Sequence, residues 1–511
     1  MLQIQHLTLT HTRDLRTIVS DFNFVLNTGD KAVLIGEEGN GKSTLLKWIF
    51  DPKLIADYAQ AEGICNTRGA VMGYLPQELP HEDRERTVYE YFSAQDCFWR
   101  ATPKALHALA ADFSLSDDIF FSAQKMGTLS GGERVKLQMA ALLLCEPDIF
   151  LLDEPSNDID IDTLEWLEAW IRDCPKSVLF ISHDETLLSG TANRVILLEQ
   201  LRRKTESRYT VANMPFAQFM AERAAAFDKQ AQLAAGERRE EDKAMERFRR
   251  MQQKVAFAQN TISRSDPSGG RLLKKKMASV KAMERRYERQ HSEITEYPTY
   301  ELPIVAKWSQ ALPVPTGKTV LRCDIPALRQ GERLLAQDIH LQMRGPEKIC
   351  IIGKNGAGKT TLLHRIWEML RQREDIRACY MPQNYEELLD REETPLHYLV
   401  PGGKKEDVTL ARTCLGSLRF TAEEMYHSVR ALSGGQKAKL LLLKISMSEA
   451  NVLVLDEPTR NFSPLSGPEI RAMLRSFPGA IISVSHDRKY MAEVCDKVYQ
   501  LDEAGLHHIP L

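Results

Sequence analysis

Residues 36–43 read GEEGNGKS and residues 353–360 read GKNGAGKT. Both fit G-x-x-x-x-G-K-[ST]. Each lies between an apolar strand-like run (KAVLI, KICII) and an apolar helical pattern (TLLKWIF, TLLHRIW). That is the context a phosphate-binding loop requires. Glycines let backbone N–H groups turn inward round an anion, and the following helix presents its positive end to it. The lysine neutralises the outer phosphates, and the hydroxyl of Ser43 or Thr360 is placed to hold Mg²⁺. One such glycine turn can arise by chance; two in one chain indicate a pair of nucleotide-binding α/β domains.

Further motifs recur in the same order. YLPQ ends at Gln77 and YMPQ at Gln383; LSGGE starts at Leu129 and LSGGQ at Leu432. IFLLDEP carries Asp153 and Glu154, and VLVLDEP carries Asp456 and Glu457. FISHD carries His183 and SVSHD carries His486. Ser130 to Ser433, Asp153 to Asp456 and His183 to His486 share one offset, 303, which points to a duplicated domain. The runs IFLLD and VLVLD have the continuous apolar character of buried parallel strands. They deliver Asp153 and Asp456 to the sheet's carboxyl edge, where Mg²⁺ is within reach, with Glu154 and Glu457 placed to polarise a water.

Phosphate loop, Q-loop, LSGG signature, DEP and histidine together resemble the ATP-binding-cassette ATPases, over about four-fifths of the chain. Two cassettes, a charged helical linker and no membrane span are similar to the ABC-F family of ribosome-associated ATPases. The resemblance implies two P-loop cassette domains, 1–213 and 304–511, joined by an α-helical hairpin at 214–303. It further implies a monomer whose cassettes close head to tail over ATP and Mg²⁺, and open on hydrolysis. One ATP would lie on Gly36, Glu37, Glu38, Gly39, Asn40, Gly41, Lys42, Ser43, Thr44 and Gln77, facing Ser433, Gly434 and Gly435. The other would lie on Gly353, Lys354, Asn355, Gly356, Ala357, Gly358, Lys359, Thr360, Thr361 and Gln383, facing Ser130, Gly131 and Gly132. Metal ligands would be Ser43, Gln77 and Asp153 in one site, and Thr360, Gln383 and Asp456 in the other. Lys42, Glu154 and His183, with Lys359, Glu457 and His486, would carry hydrolysis.

The two halves depart from the pattern unequally. SNDIDIDT follows the first DEP and matches the family's D-loop, with Asp160 in place; TRNFSPLS follows the second, with Ser463 where an acid would stand. Glu37 and Glu38 put negative charge beside a triphosphate unless they turn away. Unequal ATP sites are expected. No adenine-stacking aromatic stands out, His11 being the candidate in the first half. Only about fifty residues separate Q-loop from signature in each half, room for a small helical subdomain but not a large inserted arm. The missing arm favours the resistance-type branch of the family.

The linker is rich in Ala, Glu, Lys, Arg and Gln, with Phe248, Met251, Val255 and Ala258 forming one apolar stripe and Leu273, Met277, Val280 and Tyr287 a second. A Pro/Gly/Ser loop, TISRSDPSGGRLLKKK, joins them at 261–276, so the segment reads as an antiparallel hairpin whose stripes pack on each other. Between residues 247 and 289 stand 13 Lys/Arg against three Asp/Glu, in a chain of net charge -3. Such a basic tip is the footprint of a polyanion contact, with Arg264, Arg271, Lys274, Lys275, Lys276 and Lys281 as candidate RNA ligands. Phe257 is the one aromatic near the tip, which favours backbone and shape contact over base stacking. The resemblance implies large-subunit rRNA and peptidyl-site tRNA as partners.

The amino terminus lacks a signal-peptide pattern, no apolar window is long enough to span a membrane, and nine cysteines show no C-x-x-C pair. These features argue against a disulfide scaffold or a zinc site, and for a reducing cytoplasm without a stable membrane partner. A transporter's energising ATPase would leave the basic hairpin without a purpose. A DNA-repair or chromosome ATPase would call for zinc-binding cysteine pairs or a very long coiled coil.

Overall fold

The computed structural model describes residues 1–12, 14–201, 206–261, 271–272, 274–279, 308, 312–389, 392–418, 420–460 and 462–510. They form two compact units, one built from Met1–Ala217 with Glu301–Leu511, the other from Gln218–Tyr300.

In the first unit the chain's two halves repeat one α/β plan. The first half's main sheet runs in the order Met72–Leu75, Ile149–Asp153, Ser177–Ile181, Lys31–Gly36, Arg194–Leu201, Glu206–Ala212. The second half's runs Ala378–Met381, Val452–Asp456, Ala480–Val484, Lys348–Ile352, Lys497–Asp502, Gly505–Ile509. In both, the first five strands are parallel and the last pairs antiparallel. IFLLD, SVLFI and KAVLIG are buried at every position, which is why they alternate nothing and read as solid apolar runs. Lys31–Gly36 and Lys348–Ile352 each lie between strands from later in the chain. The crevice beyond their carboxyl ends is where such sheets bind ligands, and the glycine loops start there.

Behind each loop the following helix is anchored by a second apolar layer. Leu45, Leu46 and Ile49 of the helix Lys42–Phe50 share a core with Leu2, Ile4, Phe22 and Phe24 from a three-stranded antiparallel sheet. Leu362, Leu363 and Ile366 of the helix Lys359–Arg371 pack likewise with Leu321, Leu335 and Ile339 from the paired strands Thr319–Gln330 and Arg333–Arg344. Emptying one such position, Leu46→Ala for example, costs about 2–5 kcal/mol and would loosen the loop's support.

The stretches between Q-loop and signature fold as short helices, the longest being Pro103–Asp112 and Lys405–Ser417. Here one pair of cysteines is bonded, in a chain whose sequence argues against a disulfide scaffold. Cys97 and Cys145 are bonded, Cα atoms 5.3 Å apart and 48 residues apart in sequence, while the other seven cysteines are free. The pair carries no spacing motif, because only tertiary packing sets Asp96–Arg100 beside the end of the helix Gly131–Leu144.

In the second unit the main element is a proline-free helix, Phe216–Thr261, of 46 residues. Residues 271–272 and 274–279 are also helical. Met251 is exposed and Met277 half-buried. Arg264, Leu273, Val280, Lys281 and Tyr287 lie outside the described residues, as do the side chains of Phe248, Val255 and Ala258. Among the described residues no helix is long and apolar enough to cross a membrane.

Candidate functional site

Each glycine loop is shaped by positive-φ residues that leave its mouth open. Gly36 has φ 153, and a Cβ there would run into the Leu198 carbonyl; Gly39 and Gly356 face open space. Lys42 Nζ donates to the carbonyls of Gly36 and Glu37 at 2.9 and 3.1 Å, and Lys359 Nζ to those of Gly353 and Lys354 at 2.8 and 3.0 Å. Burial pulls both amines below the ordinary lysine range, against the carboxylates gathered round them. Asn40 turns out to serve the loop's shape: its side chain is buried and donates to the Leu198 carbonyl at 3.1 Å.

At the first loop, Ser43 Oγ donates to Asp153 Oδ1 at 2.9 Å. Burial, with the Glu154 charge behind it, pushes the Asp153 carboxyl up to about 6. Thr360 hydrogen-bonds Asp456 in the second half, and burial again raises that carboxyl. Asp456 Oδ2 is buried without a hydrogen-bond partner among the described residues. Hydroxyl, carboxylate and the nearby Gln77 or Gln383 amide make a hard oxygen set that fits Mg²⁺.

Glu154 and Glu457 leave their strands with left-handed backbone, φ 53 and 51. Their N–H groups bond the carbonyls of Ile181 and Val484 at 3.1 and 2.9 Å, which holds the turn. From here the halves diverge. His183 Nε2 lies 2.8 Å from Glu154 Oε1, and its Nδ1 bonds the Phe462 carbonyl of the other half at 2.8 Å. A carbonyl only accepts, so His183 Nδ1 carries the hydrogen. Burial favours the neutral Glu154 acid, but His183 and Lys42 outweigh it and hold the carboxyl below its usual range. In the second half His486 Nε2 stands 3.7 Å from Glu457 Oε1, and His486 Nδ1 is buried with no partner among the described residues. Burial, then Asp456, pushes Glu457 up to about 8; burial, then Lys359, drives His486 down to about 4.

The halves complete each other's sites. A cleft of about 500 Å³ over the second loop is lined by Asn355, Lys359, Thr360, Thr361, Gln383, Glu457 and His486, and from the first half by Gly131, Arg134 and Asp158. Asn355 Nδ2 donates to the Asp158 carbonyl at 2.6 Å, and Asp160 accepts from Thr163 N–H at 3.1 Å and from the Asn355 backbone. The first loop's cleft is smaller, about 370 Å³, and includes His11, Tyr58, Glu38, Lys42, Ser43, Thr44, Gln77 and Glu154. Glu38 does not turn away: its carboxylate accepts the Gly435 N–H and lies against Gly434, at the start of the helix Gly434–Ser446. Ser130 and Ser433 cap their own helices in capping boxes with Glu133 and Gln436. Gly132 packs against Thr163.

Sequence reasoning missed Tyr58, the Phe462 carbonyl, and Arg460, which lines both clefts and pairs with Asp158 at 2.7 Å. Arg460 alone left a trace, as a base in the second D-loop.

The ABC transporter family profile matches residues 19–157 and 336–460, and the chain belongs to that family. It is 27% identical to the probable ATP-binding protein YheS of Escherichia coli, over 95% of this chain and 77% of that one. To ABC transporter F family member 5 of Arabidopsis thaliana it is 26% identical, over 75% and 52%. Its fold is similar to that of the archaeal ribosome recycling factor aABCE1, solved with the ribosomal stalk protein aP1 (TM-score 0.61, 17% identity, 98% of this chain and 89% of that one). Tandem cassettes of this kind make the chain an ABC-F-type ATPase.

Proposed function

We propose that this ATPase works on the ribosome, modulates translation near the peptidyl-site tRNA and peptidyl-transferase region, and protects it from large-subunit antibiotics. The observation that carries the reading is the basic segment: 13 Lys/Arg against three acids from 247 to 289, in a chain of net charge -3. Arg271, Lys274, Lys275 and Lys276 are solvent-exposed there. A localised cationic surface on a near-neutral protein suits an RNA backbone. A protein of the same fold, aABCE1, is a ribosome recycling factor. An energising subunit of a membrane transporter has no use for these charges.

In the cassettes, Lys42 and Lys359 neutralise the outer phosphates, and Glu154 and Glu457 take the proton of the attacking water. Ser43, Gln77 and Asp153, or Thr360, Gln383 and Asp456, would hold Mg²⁺, which would supply charge neutralisation to the bound nucleotide. Signature N–H groups complete each site from across the interface. Glu154→Gln with Glu457→Gln removes the proton acceptors and keeps the phosphate ligands, so the doubly substituted chain should hold ATP, stay on ribosomes and inhibit translation. Co-sedimentation with ribosomes or with membranes tests this. A doubly substituted chain that sediments free of ribosomes with ATP present defeats the proposal. Drug susceptibility of a sensitive host, with and without the chain, tests the protective role.

A further inference from the structure

The 303-residue register that pairs the motifs also pairs four charged side chains at the contact between the cassettes. Glu168 corresponds to Arg471, and Glu185 to Arg488. The first cassette contributes an acid at both positions and the second a base at both. Across the contact, Arg471 grips Glu185 with two bonds of 2.6 and 3.2 Å, and Arg488 bonds Glu168 at 2.8 Å. These are the same junction made twice with its polarity reversed.

The surroundings reinforce that polarity. Lys489 adds a second cation to Glu185 at 2.9 Å, and Asp184 a second anion to Arg488 at 3.6 Å. One junction is dry and the other half-buried: the Arg471 and Glu185 side chains are 3% and 7% exposed, those of Arg488 and Glu168 20% and 17%. Gly467, at the start of the helix Gly467–Arg475, has a hydrogen where a Cβ would strike Glu185. The backbone is thus cut away to seat this carboxylate.

We infer that this polarity chooses the partner: a first cassette closes only on a second cassette. Two first cassettes brought together by the same geometry would bury Glu168 against Glu185 twice over. Two second cassettes would bury Arg471 against Arg488. Like charges shielded from water repel strongly, whereas in the mixed pair each carboxylate meets a guanidinium, and Arg471 is held besides by Glu493 of its own cassette at 2.7 Å. The glycine loops and signatures are near-copies in the two halves and discriminate poorly between these arrangements; the ion pairs discriminate by sign. The ion pairs thus exclude like-with-like closure, first on first or second on second.

The experiment uses two full-length chains. One carries Glu168→Arg and Glu185→Arg, so both cassettes are basic at the junction; the other carries Arg471→Glu and Arg488→Glu, so both are acidic. Each alone should lose ATP turnover at least tenfold and sediment as a single chain. Mixed in equal amounts, every cassette finds an opposite one, so a two-chain particle should appear and turnover should recover several-fold. Either chain alone turning over ATP like the parent, or two chains of parental helical content that neither associate nor regain activity, overturns the inference. If either chain fails to fold, the more exposed junction decides. Glu168→Arg should lose turnover and Glu168→Arg with Arg488→Glu should recover it; no recovery overturns the inference. Both readouts concern the chain alone and do not depend on the ribosome reading.

Discussion

Glu38→Asn gives the first loop the residue that the second has at the same place, Asn355. The Glu38 carboxylate accepts the Gly435 N–H, one of the donors that a γ-phosphate on Lys42 needs from the opposite signature. For ATP to close this site, that bond must break. A hydrogen bond to a charged group contributes about 1.5–3 kcal/mol, so the competition weakens ATP about 10- to 100-fold. Lys42 keeps Glu154, Asp153 and Glu37 near it, so its charge does not rest on Glu38. The assay is equilibrium titration with Mg-ATP and with Mg-ADP in a Lys359→Ala background, which silences the second site. Glu38→Asn should tighten ATP by that factor and ADP by much less, since ADP lacks the competing phosphate. Unchanged or weaker ATP binding refutes the reasoning. An equal gain for ADP also refutes it, because relief of charge in the loop would then explain the effect.

The second site has the larger cleft and the intact Asp160, so Glu457→Gln should lower steady-state turnover more than Glu154→Gln; equal losses or the reverse order would contradict this. Glu457 is raised from an ordinary 4.5 to about 8 by burial, so the folded chain holds that proton longer than the unfolded one. Its contribution to stability is complete below pH 4.5 and is lost as pH rises through about 8. Denaturation at pH 5, 7 and 9 should show this fall in the parent and a smaller one in Glu457→Gln, while parental turnover climbs over the same range as the base ionises. Neutralising Lys274, Lys275 and Lys276 should weaken ribosome binding and flatten its log–log salt dependence by about 2 to 3, one counterion per phosphate contact. Replacing 261–272 with a Gly-Ser turn should leave ATPase activity intact and abolish drug protection; full protection would reduce the loop to a connector.

The repeat read from loop, signature, DEP and histidine is the repeat of the two sheets and their helices, because loop, DEP and histidine follow strand ends that topology must bring together and each signature serine caps a helix. Spacing could nominate Lys42, Ser43, Asp153 and Glu154 for one cleft for the same reason. It could not show that Glu38 crosses to Gly435, that Asn40 turns inward, or that a backbone carbonyl at Phe462 holds His183. Those contacts join residues hundreds of positions apart, or use groups every residue has. Cys97 and Cys145 were missed likewise: no local pattern marks two thiols that only packing brings together. The charge-swapped junctions were in reach, since the 303 offset exposes them, but a lone Glu or Arg on a helix ordinarily reads as a solvated face.

Glu154 and Glu457 hold a backbone conformation that costs a side-chain-bearing residue about 1–2 kcal/mol and a glycine nothing. Selection for a firmer fold and selection for hydrolysis therefore pull on these two positions in opposite directions. A lineage that stopped using one site would drift there toward glycine or asparagine and gain thermal resistance as it lost turnover. Thermostability screens of this chain should return such substitutions early at Glu457, each a dead catalyst in a sturdier shell, and not at Glu154, whose ion pair with His183 they would break.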